Sequence, residues 1–174
     1  LPGWLDLKTI DSTKAIVTGT PKNKHVGEEK VELTITDPKR DSLITQSFSI
    51  SVINNNDAPE FTSEPVKTAQ EDSLYSYQID ARDIDGDELT IALKQKPSWL
   101  TMSKENNKTV LSGTPDNEDV GNNSVVLSLT DNRIESPVEQ QFNLEVKNTN
   151  DAPAFTSTPK KTAKEDKLYY YLIT

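Results

Sequence analysis

The chain has 174 residues, 33% of them hydrophobic, with 10 prolines against 6 glycines and no cysteine. That composition suits two small, turn-rich units better than one large core, and it excludes a disulfide framework, a thiolate metal site and thiol catalysis. Acidic residues number 28 against 19 basic, for a formal charge of −9, which disfavours nucleic acid and anionic membranes as partners and leaves oxygen ligands to spare for a hard cation.

Residues 1–57 carry Pro2 and Trp4, Gly19-Thr20-Pro21, Gly27, Asp37 and Phe48 in chain order, and end in Asn54-Asn55-Asn56-Asp57. The same marks then return at an offset of about 94 residues. Asp57-Ala58-Pro59 with Phe61-Thr62-Ser63 and Pro65 recurs as Asp151-Ala152-Pro153 with Phe155-Thr156-Ser157 and Pro159, and Glu71-Asp72 recurs as Glu165-Asp166. Gly19-Thr20-Pro21 recurs as Gly113-Thr114-Pro115, Gly27 as Gly121, Asp37 as Asp131 and Phe48 as Phe142. Pro97 and Trp99 repeat Pro2 and Trp4 with one residue inserted. The frame that follows is the later part of one repeat in 1–57, a complete repeat in 58–151, and the first strands of a further repeat in 152–174.

Inside the complete repeat the apolar residues alternate, as in Tyr75, Tyr77, Ile79 and Ala81 and again in Val125, Leu127 and Leu129. Period two predicts half-buried strands there, with others over 88–93, 109–111 and 140–146. Turn signals separate them at Asp85-Gly86-Asp87, Asn106-Asn107 and Asp131-Asn132. About seven short strands without helical periodicity predict an all-β fold, a tandem array of two-sheet Greek-key β-sandwiches. The expected core is Phe61, Tyr77, Ile79, Leu89, Ile91, Trp99, Leu100, Leu111, Val125, Leu127, Leu129, Phe142, Leu144 and Val146. Lone His25 is expected at the surface, having no second His or Cys with which to bind a soft metal.

Five marks in this order carry a resemblance: Asp83-Ile84-Asp85-Gly86-Asp87, Pro97-Ser98-Trp99-Leu100, Leu111-Ser112-Gly113-Thr114-Pro115, and the two junctions ending in Asp57-Ala58-Pro59 and Asp151-Ala152-Pro153. The chain resembles the cadherin-like repeats of the dystroglycan type found in large bacterial surface and secreted proteins, and more distantly cadherins. The resemblance implies calcium at each junction, held by acids at the base of one repeat, the linker, and an Asp-x-Asp at the top of the next. Calcium takes six to eight oxygens, more than any single short loop here supplies. At the first junction the implied ligands are Asn54, Asn56 and Asp57 with Asp83, Asp85 and Asp131. At the second they are Glu71, Asp116, Glu118 and Asp119 at the base with Asn148, Asn150 and Asp151 in the linker. The first repeat departs from the pattern, having Lys22-Asn23-Lys24-His25 where the complete repeat has Asp116-Asn117-Glu118-Asp119, and 152–174 contains no Asp-x-Asp.

One histidine beside lysines provides no oriented base for a nucleophile, and no glycine-rich phosphate loop is present, so a non-catalytic chain is expected. No apolar run approaches the ~18 residues of a bilayer span, and residue 1 opens mid-pattern without a signal peptide. The expected setting is the cell surface or exterior, as part of a larger secreted protein. Three readings stand together: a calcium-binding structural or adhesive repeat partnered by neighbouring repeats, a surface-polysaccharide binder, and a subunit in which residues 152–174 complete residues 1–57 of an identical chain by strand exchange.

Overall fold

The computed structural model describes every residue except 38, 40 and 41. It is built from strands and two short 3-10 turns, with no α-helix among the described residues. Residues 1–57 form two antiparallel hairpins. β1 (Leu5–Asp11) pairs with β2 (Lys14–Gly19), and β3 (Gly27–Asp37) pairs with β4 (Ser42–Val52) from Gly27 opposite Val52 to Asp37 opposite Ser42.

The next unit runs through β5 (Glu60–Phe61), β6 (Thr68–Gln70), β7 (Tyr75–Ile79), β8 (Ala81–Arg82), β9 (Thr90–Gln95), β10 (Thr101–Glu105), β11 (Lys108–Gly113), β12 (Gly121–Thr130) and β13 (Val138–Lys147). One sheet has the order β10-β11-β7 and the other β6-β13-β12-β9, while β5 and β8 make a separate short pair. The β6–β13 contact is parallel and the other pairings are antiparallel. Passing from β7 to β9, from β9 to β10 and from β11 to β12, the chain crosses between the two sheets, and the core fills the space between them.

That core contains Tyr75, Tyr77, Ile79, Leu100, Leu111, Val125, Leu127, Phe142, Leu144 and Val146 together with Ala69. Alternation delivers these side chains because a strand sends every second residue to one face. The expected set holds, with Phe61, Ile91 and Trp99 packed at its margin and Leu89 only half-buried. Leu129 is fully buried as expected. Burial in the sandwich also pushes the phenol pKa of Tyr75 and of Tyr77 above the ordinary value.

The Leu-Ser-Gly-Thr-Pro motif has a steric reason. A Cβ on Gly113 would overlap the backbone carbonyl of Trp99 and press on its indole ring, and a Cβ on Gly19 would overlap the Trp4 carbonyl. Glycine lets β11 close against the Pro-x-Trp turn that carries the indole into the sandwich, where Trp99 meets Tyr75 edge to face at 5.9 Å.

Residues 152–174 form no strand, yet they repeat the local bonds that open the complete repeat. Tyr77 donates to the Ser63 carbonyl and Tyr171 to that of Ser157. Tyr75 donates to the Val66 carbonyl and Tyr169 to that of Lys160. In residues 1–57 the hairpins are present and Val31 is 1% exposed, but other apolar positions are open: Ile35 is 71% exposed where Leu129, 94 residues on, is 0%, and Phe48 is 42% exposed where Phe142 is 5%.

Candidate metal centre

The loop after β8 folds on its own first carboxylate. Asp83 Oδ1 accepts the backbone N–H of Asp85 at 2.8 Å and of Asp87 at 3.2 Å, an Asx-type turn. Gly86 sits at φ +82°, a left-handed conformation that glycine adopts without steric cost. The turn gathers one oxygen each from Asp83, Asp85 and Asp87 within 4.8 Å of one another. Three like charges so close repel, so the arrangement suits a cation or demands donors.

The donors come from other segments, and they do not reach every oxygen. Arg133 Nη2 lies 2.8 Å from Asp87 Oδ1. The Asp57 N–H donates to Asp85 Oδ2 at 2.7 Å, and Asn23 Nδ2 donates to Asp85 Oδ1 at 3.2 Å and to Asp57 Oδ2 at 2.7 Å. Asp83 Oδ2, Asp87 Oδ2 and Asn56 Oδ1 are shut off from solvent with no hydrogen-bond partner. Desolvated acceptors in that condition are costly.

Asn56 has its amide nitrogen in use, donating to Asp131 Oδ2 at 2.8 Å. Asp131 is 4% exposed, and its other oxygen accepts the N–H groups of Arg133 and Ile134. These bonds, the one from Asn56 foremost, overcome the opposing effect of desolvation and bring the Asp131 pKa down to about 2. Asn54 is exposed and lines a groove shared with Asp85, Asp87 and Arg133. The six residues implied for the first junction are therefore neighbours. Asp87 and Asn23 stand beside them; neither is among the expected ligands, although Asp87 continues the alternation of Asp83 and Asp85 and so was readable.

The second junction is arranged differently. Glu71 is 0% exposed; its Oε2 accepts the Thr149 N–H at 2.9 Å and its Oε1 has no partner. Asp116 Oδ1 accepts from the Glu118 N–H and Asp119 Oδ2 from the Asp116 N–H, so both carboxylates are engaged in capping the 3-10 turn Asn117–Asp119. The Glu118 side chain is exposed. Asn148 and Asn150 donate to the carbonyls of Thr149 and Asp151 in the linker itself. Asp151 Oδ2 accepts from Asn117 Nδ2 at 2.8 Å. In the first repeat His25 takes the place of Asp119, accepting the Lys22 N–H on Nδ1 at 2.8 Å. It is half-buried beside Trp4, whose ring centroid lies 6.1 Å away, rather than at the open surface expected of it.

Residues 58–147 match the family described as "Putative Ig domain". The chain belongs to this family. No curated protein matches it. Among solved structures it is similar to the endo-fucoidan hydrolase MfFcnA4 of glycoside hydrolase family 107, at 24% identity and a TM-score of 0.47, over 85% of this chain and 23% of that one. It is also similar to the SrpA adhesin from Streptococcus sanguinis, at 14% identity and a TM-score of 0.42 over 62% and 68%, and to titin Ig tandem domains A164-A165, at 14% and 0.35 over 84% of each. The chain thus spans about a quarter of the hydrolase it resembles. As an Ig-family unit, residues 58–147 carry their own two-sheet core, and the acidic loop of Asp83 stands at the end of that sandwich where the linker enters. No helix among the described residues is long and apolar enough to cross a membrane.

Proposed function

We propose that this chain is a non-catalytic structural or adhesive repeat of an extracellular or cell-surface protein, with calcium (Ca2+) bound at the first junction by Asp83, Asp85, Asp87 and the linker residues Asn56 and Asp57. The observation that carries the reading is the set of three solvent-excluded acceptors without partners, Asp83 Oδ2, Asp87 Oδ2 and Asn56 Oδ1, from two segments that meet there. An oxygen-only donor set from a loop and a linker suits calcium, which accepts irregular geometry, better than magnesium or zinc. Affinities of extracellular calcium modules, ~10⁻⁴ to 10⁻³ M, make one site worth on the order of 1 kcal/mol at millimolar calcium. Such a site stiffens the junction more than it creates the fold. The second junction offers the buried Glu71 Oε1 as an anchor for a weaker ion with Asp116, Glu118, Asp119, Asn148, Asn150 and Asp151, and this part of the proposal rests on Glu71 alone.

Titration calorimetry with calcium, paired with thermal melting in calcium and in chelator, tests the reading. Saturable binding and a melting temperature about 2–8 °C higher in calcium are expected, both abolished in the triple variant Asp83→Asn, Asp85→Asn, Asp87→Asn. Absence of binding heat together with a melting temperature indifferent to chelator overturns it.

The non-catalytic reading draws on the one histidine, whose Nδ1 is occupied by a backbone N–H. A polysaccharide-binding role would call on exposed aromatic rings. Trp99 instead packs on Tyr75, while Phe155 is 83% exposed, Tyr170 72% exposed beneath the Lys160 ammonium and Tyr169 45% exposed. Strand exchange has a specific observation in its favour. Phe48 is 42% exposed where Phe142 is 5% exposed and meets Tyr77 edge to face, while residues 152–174 already hold the local bonds of the segment that carries Tyr77.

A further inference from the structure

Asn23 begins the 3-10 turn Asn23–His25 in the first repeat, and Asn117 begins the turn Asn117–Asp119 in the second. Each sends its amide to the aspartate of the linker that follows, Asn23 to Asp57 at 2.7 Å and Asn117 to Asp151 at 2.8 Å. Asn23 goes one step further and reaches Asp85 of the next repeat at 3.2 Å. In that contact a side chain from the base of one repeat bonds directly to the acidic loop at the top of the next. It does so from between Lys22 and Lys24, where the sequence has no acid to offer a cation.

We propose that Asn23 is a two-state junction residue: its NH2 group latches the two repeats together when no cation is present, and rotation of the same amide supplies Oδ1 as the base-side ligand when calcium binds. The second half rests on the calcium reading above; the first half does not. Without a cation, Asp57 and Asp85 need donors, and the two amide hydrogens of Asn23 serve one carboxylate each. A cation on those carboxylates would confront the same hydrogens with positive charge. The oxygen and nitrogen of a primary amide are nearly the same size, so a half-turn about the Cβ–Cγ bond exchanges donor for acceptor without moving the backbone. A neutral ligand also adds no charge to the carboxylate cluster, which keeps the junction closed in both states and the affinity modest. An aspartate at position 23 could serve only the loaded state.

The test compares the wild-type chain with Asn23→Ala and Asn23→Asp by calcium calorimetry and by hydrogen exchange of the Asp57 amide, which donates across the junction to Asp85. In chelator the Asp57 amide is expected to exchange about tenfold faster in both variants, since each loses a charge-assisted bond. In calcium the variants part company: Asn23→Ala binds severalfold more weakly and Asn23→Asp about tenfold more tightly than wild type, because the aspartate adds an anionic oxygen. A merely structural role for the turn would weaken both. Unchanged Asp57 exchange in chelator overturns the latch, and an Asn23→Asp chain that binds no more tightly than wild type overturns the ligand role. If the wild-type chain binds no calcium, the calcium reading and the ligand role fail together, and the exchange measurement alone still decides the latch. Asn117→Asp, made as a control away from the Asp83 loop, should leave Asp57 exchange unchanged; acceleration there would mean global loosening and count against the latch.

Discussion

Asp131 shows how one carboxylate can report on a whole junction. Its pKa is lowered to about 2 chiefly by the Asn56 amide, which belongs to the linker and lies 75 residues away in sequence. A depressed carboxylate stabilises the folded state above its unfolded pKa, and that contribution disappears as the pH falls through the folded value. The window in which Asp131 matters therefore runs from about pH 4 down to about pH 2. Replacing Asn56 with alanine should raise the Asp131 pKa toward that of an ordinary aspartate, read by NMR titration of its carboxyl carbon. A value unmoved by the substitution would mean that the linker does not dock there in solution. Asp131 pairs in the sequence with Asp37, so its place was readable from the repeat alone. Its partner was not, because a bond across 75 residues leaves no local mark.

Among the elements, equivalent strands behave unequally. β3 and β12 have the same start in the repeat and the same alternation, yet Leu129 is 0% exposed and Ile35 is 71% exposed. Leu129→Ala should cost about 2–5 kcal/mol, whereas Ile35→Ala should change stability by no more than about 0.5 kcal/mol, as measured by denaturant unfolding. Period two marked β12, and the same alternation runs through Val31, Leu33 and Ile35 of β3, but it does not say which strand finds a second sheet. The missed elements have their own reasons. β6 is three residues long and joins β13 in parallel, contributing Ala69 to the core, and so short a run carries no periodicity. The strand expected over 88–93 begins instead at Thr90, because the backbone before it is drawn into the turn around Asp83.

At the scale of the whole molecule, the hairpins of residues 1–57 leave Ile35 and Phe48 exposed, and residues 152–174 form no strand. Exposed apolar faces and open sheet edges of this kind favour association. Static light scattering over a dilution series should show concentration-dependent species, and a chain ending at residue 151 should remain monomeric. Strictly monomeric behaviour of the full chain, with residues 152–174 sensitive to protease, would exclude strand exchange.

The sequence by itself determined the longer strands of residues 58–147, most of the core there and the acidic segments, because alternation, turn residues and motif order are local quantities. Only the tertiary structure decided which oxygens lack donors, that Asn23 reaches both Asp57 and Asp85, that Asp116 and Asp119 are drawn into a turn cap, and that Leu129 and Phe142 are buried where Ile35 and Phe48 are exposed. Each of these depends on which distant segment arrives opposite a given side chain, and burial and hydrogen-bond satisfaction belong to such encounters rather than to the residues taken singly.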